Sequence, residues 1–156
     1  MIDYQIKNIL SPQEIKYCNE YFEKSDKEYY DVWHNVVNVN KVEIDLSDIG
    51  MKHISNKLLF NNFRIRAFYM LEYLQDSFTQ IHTDNDSNAT SVTLFDASED
   101  LVGGNIILLD SIKEKRCILS LSSKLGETFI YNGSIIHGVS KILSGRRRVM
   151  IMWYKP

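Results

Sequence analysis

From Arg64 to Tyr154 the chain alternates short apolar runs with polar or glycine-containing breaks, and this punctuation restricts the fold more than any other feature. Arg64–Met70, Phe78–His82, Thr90–Phe95, Gly103–Leu109, Cys117–Leu119, Glu127–Tyr131, Ile135–His137 and Arg147–Tyr154 are rich in β-branched and aromatic residues. Breaks fall at Gln75-Asp76-Ser77, Asn85–Asn88, Ser98–Asp100 and Asn132-Gly133-Ser134. Short runs of this composition between turn formers read as strands, because alternate side chains of a strand face opposite sides. Roughly eight such strands predict a double-sheet β-sandwich or barrel of the jelly-roll or cupin kind.

The N-terminal part reads differently. In Ser11-Pro12-Gln13-Glu14, Ser11 can cap a helix, Pro12 suits its first position and Glu14 can close a capping box. Ile15, Cys18 and Phe22 then lie at helical spacing, which predicts a helix covering one sheet and ending near Ser25-Asp26. Tyr29 to Leu46 suggests two strands, with the turn expected around Asn38–Lys41. After the cap Ser47-Asp48, Ile49, Ile54, Leu58 and Leu59 mark a second amphipathic helix, expected to end near Asn61-Asn62. His34 and His53 lack ligand-spaced partners; His34 is placed as a candidate lining of a substrate cleft and His53 at the surface. The expected organisation is one domain over 1–156, with support elements in 1–63 and a β-core in 64–156.

A net charge of −2 gives no general attraction to nucleic acid or membrane. Lys113–Arg116 and Arg146–Arg148 are only short basic patches, so a nucleic-acid partner is disfavoured. No apolar run approaches the roughly 20 residues of a bilayer span, and Met1–Gln5 does not read as a secretory signal. Cys18 and Cys117 form no Cys-x-x-Cys pair; two reduced thiols in a cytoplasmic protein are expected, with one disulfide as the alternative.

The chemistry concentrates at His82-Thr83-Asp84 and the distant His137. Residues i and i+2 of a strand share a face, so His82 and Asp84 can hold one metal ion while Thr83 points away. Two imidazoles and one carboxylate are the facial set that suits Fe(II) and leaves positions for other ligands. Arg147 lies ten residues beyond His137, and a guanidinium is able to grip a carboxylate through two parallel hydrogen bonds. Strand alternation puts Arg147, Val149, Ile151 and Trp153 on one face, leaving Arg146 and Arg148 as expected solvated surface. Gly103-Gly104 allows either a close approach to the opposite sheet or a plain hairpin turn, and Gly126 is expected in a turn.

The ordered set His82-x-Asp84, Gly103-Gly104, Gly126-Glu127-Thr128-Phe129, His137-Gly138-Val139 and Ser144-Gly145-x-Arg147, closed by Trp153-Tyr154, resembles the Fe(II)/2-oxoglutarate-dependent oxygenases of the prolyl 4-hydroxylase-like branch. The resemblance runs from about Phe68 to Tyr154. It departs from the branch at Asp96-Ala97, where Leu-Asn is usual, which bears on the subfamily and not on the metal set. It implies a double-stranded β-helix with helices packed on one sheet. It also implies His82, Asp84 and His137 as iron ligands, and Arg147 with Tyr73 (Tyr69 behind it) on the distal carboxylate of 2-oxoglutarate. The expected cofactors are Fe(II), 2-oxoglutarate as co-substrate and O2, with ascorbate as an optional reductant. Because halogenating members carry a small residue at the carboxylate position, Asp84 implies hydroxylation, most readily of a prolyl residue in a peptide or protein. The alternatives are a free amino acid or other small metabolite, a cupin enzyme working without 2-oxoglutarate, and a non-catalytic cupin-like metal- or metabolite-binding module. Oligomeric state is not encoded in any of these features.

Overall fold

The computed structural model describes residues 4–84, 87–109, 117–121 (backbone alone) and 124–156. In chain order the elements are β1 (Tyr4–Asn8), α1 (Pro12–Lys24), β2 (Glu28–Trp33), β3 (Val36–Glu43), α2 (Ile49–Leu58), β4 (Arg64–His82), β5 (Ala89–Ala97), β6 (Ile106–Leu109), β7 (Cys117–Leu121), β8 (Glu127–Asn132), β9 (Ile136–Val139) and β10 (Arg147–Lys155). Lys113–Arg116, Asn85, Asp86 and the thiol of Cys117 lie outside the described residues.

Helix α1 starts as its sequence predicts. Ser11 Oγ accepts from Glu14 N at 3.2 Å, and Glu14 Oε1 accepts from Ser11 N at 2.9 Å. This capping box satisfies two otherwise orphaned donors and contributes about 1 kcal/mol. Cys18 and Phe22 are fully buried. Asp48 caps α2 through Met51 N at 2.9 Å. That helix stops at Leu58, short of Asn61-Asn62, and Ile49 at its start is exposed and not part of the buried stripe.

The strands form a curled antiparallel sheet in the order β1-β8-β5-β10-β4-β9-β6-β7, with β3 on β4 and β2 on β3. Strand β4 organises it. Its first half pairs with β10 (Tyr73 opposite Arg147), and its end pairs with β9 (His82 opposite His137). The expected break at Gln75–Ser77 is instead a continuous strand with Asp76 at φ 70°, whose N–H reaches Ile142 O at 2.8 Å. A single left-handed residue lets the strand turn from one neighbour to the next without ending. The β2–β3 turn lies at His34-Asn35, not Asn38–Lys41; Asn38, at φ 60°, marks an irregularity between Val37 and Val39 in the pairing with β4. Strand β1, which the sequence did not announce, pairs with β8.

Strand β10 lies between β4 and β5, so both its edges are paired, and clusters pack on both its faces. Met150, Met152 and Tyr154 pack with Cys18 and Phe22 of α1 and Met51, Ile54 and Leu58 of α2. Each such side chain contributes roughly 1.5–3 kcal/mol of burial. The helices therefore sit on one face of the sheet, as expected. On the opposite face Val149 and Ile151 join Val39, Tyr69, Leu71 and Tyr73 in a second cluster. No helix of the described residues is long and apolar enough to cross a membrane.

Candidate active site

Pairing β4 with β9 sets His82 directly opposite His137, with ring centroids 4.3 Å apart. Asp84 follows two residues after the last residue of β4. It is held there by its backbone: its N–H bonds Gly133 O at 2.8 Å, and a Cβ on Gly133 would meet Asp84 O at 2.6 Å. Only glycine allows the β8–β9 turn this close to the Asp84 main chain. Asp84 Oδ1 lies 3.0 Å from His82 Nε2, and Oδ2 lies 3.5 Å from His137 Nε2. One potential ligand atom from each of the three lies within 4.8 Å of the others. Because Thr83 is past the strand end, it lines the cavity instead of pointing away.

The second nitrogen of each imidazole is also engaged. His82 Nδ1 is 2.7 Å from Gln80 O, and His137 Nδ1 is 2.9 Å from Ile135 O. A carbonyl can only accept, so Nδ1 carries a proton in both rings, which leaves Nε2 as the nitrogen that a metal ion would take in place of a proton. Burial pushes the Asp84 carboxyl up, but the His82 hydrogen bond, His137 and Thr90 outweigh it and hold the group below the usual carboxylate range. Burial pulls His137 below the usual histidine value. For His82 burial acts the same way, yet the Asp84 and Gln80 hydrogen bonds bring it above that value. An anionic oxygen and two Nε2 acceptors are the donor set an Fe(II) ion takes.

Two polar groups escaped the sequence reading. Thr90 Oγ1 donates to Asp84 Oδ2 at 2.8 Å. Buried Tyr131 places its hydroxyl 3.1 Å from His137 Nε2 and 3.4 Å from Asp84 Oδ2. Tyr131 sits six residues before His137 on β8, and its apolar context gave no signal of polar work.

These residues line a cavity of about 240 Å³ that also reaches Tyr73, Thr79 and Arg147. Arg147 is 3% exposed, and its Nη1 has no hydrogen-bond partner among the described residues. Burial pulls its pKa below the usual arginine value, and the Tyr73 phenol acts the other way. The guanidinium lies 5.4 Å from the Tyr73 ring, and Tyr73 OH bonds Thr79 Oγ1 at 2.7 Å. Gly104, at φ 71°, passes so close that a Cβ would lie 3.1 Å from Arg147 Cδ. Its pair with Gly103 thus serves a close approach, not a hairpin turn. Tyr69 lines the same cavity within the aromatic cluster, against Trp33 and Trp153.

The two flanking arginines differ from one another. Arg146 is partly exposed and pairs with Asp96 at 2.9 Å, as a surface residue should. Arg148, expected at the solvated surface, is buried: it donates to Glu72 at 2.7 Å, to Asn19 at 3.0 Å and to Glu23. Alternation was right about its side of the strand, but α1 covers that side, and Arg148 lies 4.3 Å from the Phe22 ring. Cys18 is free and buried, its thiol pushed up to about 12 by burial and by Glu14. His53 is exposed, 3.8 Å from Glu14.

No protein-family model and no curated protein matches the sequence. The fold, however, matches solved structures over almost the whole chain. An oxidoreductase of the 2OG-Fe(II) oxygenase family from Burkholderia pseudomallei superposes with a TM-score of 0.74 at 12% identity, covering 97% of this chain and 85% of its own. HygX from Streptomyces hygroscopicus, with nickel and 2-oxoglutarate bound, gives 0.75 at 12%, covering 99% and 83%. A Pseudomonas putida prolyl-4-hydroxylase gives 0.72 at 13%, covering 100% and 94%. The chain has the jelly-roll fold of the 2OG-Fe(II) oxygenases. Other structures with this oxygenase fold include an epimerase and a carbocyclase of nogalamycin biosynthesis, so the fold alone does not fix the reaction.

Proposed function

We propose that this protein is an Fe(II)- and 2-oxoglutarate-dependent dioxygenase that hydroxylates an unactivated C–H bond, with a prolyl residue of a peptide or protein as the substrate. One observation carries the reading: a two-histidine, one-carboxylate cluster shares its cavity with a buried arginine whose Nη1 has no hydrogen-bond partner among the described residues. A buried, unpaired cationic donor is costly, and an anion in the cavity would remove that cost. His82 and His137 would hold iron through Nε2 and Asp84 through its carboxylate, while Arg147, with Tyr73, would take the distal carboxylate of 2-oxoglutarate. When bound, iron, 2-oxoglutarate and O2 supply the oxidising power for oxygen insertion, with succinate and CO2 as co-products.

The chain's own residues supply position and exclusion. Gln80 and Ile135 fix the imidazole tautomers, and Thr90 restrains the Asp84 carboxylate. Val92, Ile106, Val139 and Ile151 give the cavity apolar walls, which keep bulk water from the reacting carbon. No side chain needs to act as general acid or base. The peptide reading draws support from the fold shared with the P. putida prolyl-4-hydroxylase and with a Trichoplax adhaerens prolyl hydroxylase in complex with a hypoxia inducible factor peptide. A small-molecule substrate is the second reading, since HygX was solved with hygromycin B bound.

Anaerobic titration of the apoprotein with Fe(II) and then 2-oxoglutarate tests the proposal. A weak visible charge-transfer band that needs both additions, and is lost in His137→Ala, is expected. Iron binding without the band would remove the co-substrate, and failure to bind iron would remove the metal site. Succinate release with peptide or metabolite pools then separates the two substrate readings and a non-catalytic binding module.

A further inference from the structure

Five described residues other than glycine adopt positive φ: Asn38, Asn61, Asn62, Asp76 and His34. Asparagine and aspartate tolerate that region because their short side chains bond the local backbone. His34, at φ 52°, has no such bond among the described residues, and at the apex of the two-residue β2–β3 turn glycine would sit without strain. Side chains held in unfavourable backbone conformations concentrate at sites of function. This one lines the same cavity as His82, Asp84 and His137.

The surroundings fix where the imidazole lies. Its ring meets Trp33 edge-on with centroids 4.5 Å apart, and Trp153 lies 6.3 Å away on the other strand. The turn itself is tied to the strand carrying His82, because Gln80 N donates to Asn35 O at 2.8 Å. Trp33 is backed by Lys41, whose ammonium sits 4.7 Å from its ring. Among the described residues strand β2 pairs with β3 alone, so its outer edge can bond an extended main chain. Among the described cavity residues the fixed charges are those of Asp84 and Arg147, which the oxygenase reading commits to iron and 2-oxoglutarate. A free amino acid would bring an ammonium and a carboxylate with no counter-charges, whereas an internal peptide residue brings neutral carbonyls.

Building on that oxygenase reading, we infer that His34 is a specificity-determining residue: its imidazole donates a hydrogen bond to a main-chain carbonyl of a peptide substrate whose reactive residue packs against the cavity-lining Trp33 and Trp153. The strained turn holds the ring over the cavity, and the aromatic pair sets the depth to which a peptide enters.

The test compares wild type, His34→Gly and His34→Asn, each loaded anaerobically with Fe(II) and 2-oxoglutarate. The probes are acetyl-Gly-Pro-Gly-amide and free L-proline, with affinity measured by calorimetry. Both variants suit positive φ, so melting temperature and 2-oxoglutarate binding should equal or exceed those of wild type. Wild type should bind the capped peptide more tightly than free proline, and both variants should bind the peptide about tenfold more weakly, the worth of one good hydrogen bond. Unchanged peptide affinity in His34→Gly overturns the inference, as does wild type that prefers free proline or binds 2-oxoglutarate but no peptide. A lower melting temperature in both variants would make His34 structural and also overturns it. Failure of wild type to bind Fe(II) and 2-oxoglutarate is a separate result, which removes the oxygenase reading and this inference with it.

Discussion

Replacing Arg147 by methionine separates function from stability in opposite directions. Arg147 is 3% exposed, and its Nη1 has no hydrogen-bond partner among the described residues. An unsatisfied buried donor costs about 1–3 kcal/mol, and more when charged. The Tyr73 ring at 5.4 Å returns about 0.5–2 kcal/mol of that. Methionine fills much of the same volume with no group to satisfy, so Arg147→Met should be as stable as wild type or about 1 kcal/mol more so. For a chain of this length that is a rise of about 2–4 °C. Ligand binding moves the other way. Losing a charge-assisted bidentate grip costs about 3 kcal/mol, or roughly a hundredfold in affinity. At 2-oxoglutarate equal to about 100 times the wild-type Kd, wild type gains about 2.7 kcal/mol of stabilisation and the variant about 0.4. Thermal melts of the Zn(II)-loaded proteins with and without 2-oxoglutarate read both quantities. A variant that melts several degrees lower without ligand, yet keeps the full ligand-induced shift, would show that Arg147 is a structural cation and refute the reasoning.

Tyr131→Phe should keep the fold while weakening divalent-metal binding about tenfold, because its hydroxyl orients the Asp84 carboxylate, whereas its contact with His137 Nε2 gives way when a metal takes that nitrogen; calorimetry with Ni(II) measures this, and unchanged affinity would make Tyr131 mere packing. Glu72→Ala should destabilise by about 3 kcal/mol in urea unfolding, since it strips Arg148 of its buried carboxylate, and Arg148→Met added to it should recover most of the loss. Cys18 and Tyr154 are both raised to about 12, chiefly by burial. Protonation therefore favours the fold: their contribution is complete below the unfolded-state values near 9 and 10, and falls away as pH rises towards 12. The urea midpoint should decline progressively above about pH 9, and in a Cys117→Ser background Cys18 should resist an aromatic disulfide reagent until the protein unfolds.

The sequence disclosed those parts of the molecule that local rules govern. Ser11 and Glu14 announced a capping box that forms as read, and the stripe of Cys18 and Phe22 is buried. His82, Asp84 and His137 converge because one strand pairing, β4 with β9, joins what 55 residues of chain separate. The errors share a cause in long-range pairing. Gln75-Asp76-Ser77 has the composition of a turn, but β3 on one side and Ile142 on the other keep it in the strand. Asn38 likewise looks like a turn and is an irregularity in β3, while the real turn uses His34, a residue no turn rule selects. Tyr131 was invisible because a tyrosine in an apolar strand reads as core, and only the folded sheet brings its hydroxyl to the Asp84 carboxylate.

Arg147 and Arg148 show which buried charges point to a ligand. Both are at most 4% exposed, and they are adjacent on one strand. Arg148 is fully occupied by the chain: Glu72, Asn19 and Glu23 accept from its Nε, Nη1 and Nη2 and join α1 to the sheet. Its burial needs nothing from outside. Arg147 lines the cavity with Nη1 unanswered among the described residues and with Gly104 keeping space beside its stem. A fold stabilised only by its own contacts would favour an apolar residue there, as the Arg147→Met experiment measures. A charge there is accounted for by a partner the chain does not contain, and under the proposed function that partner is an anion beside a metal ion held by the two imidazoles and the carboxylate of the same cavity.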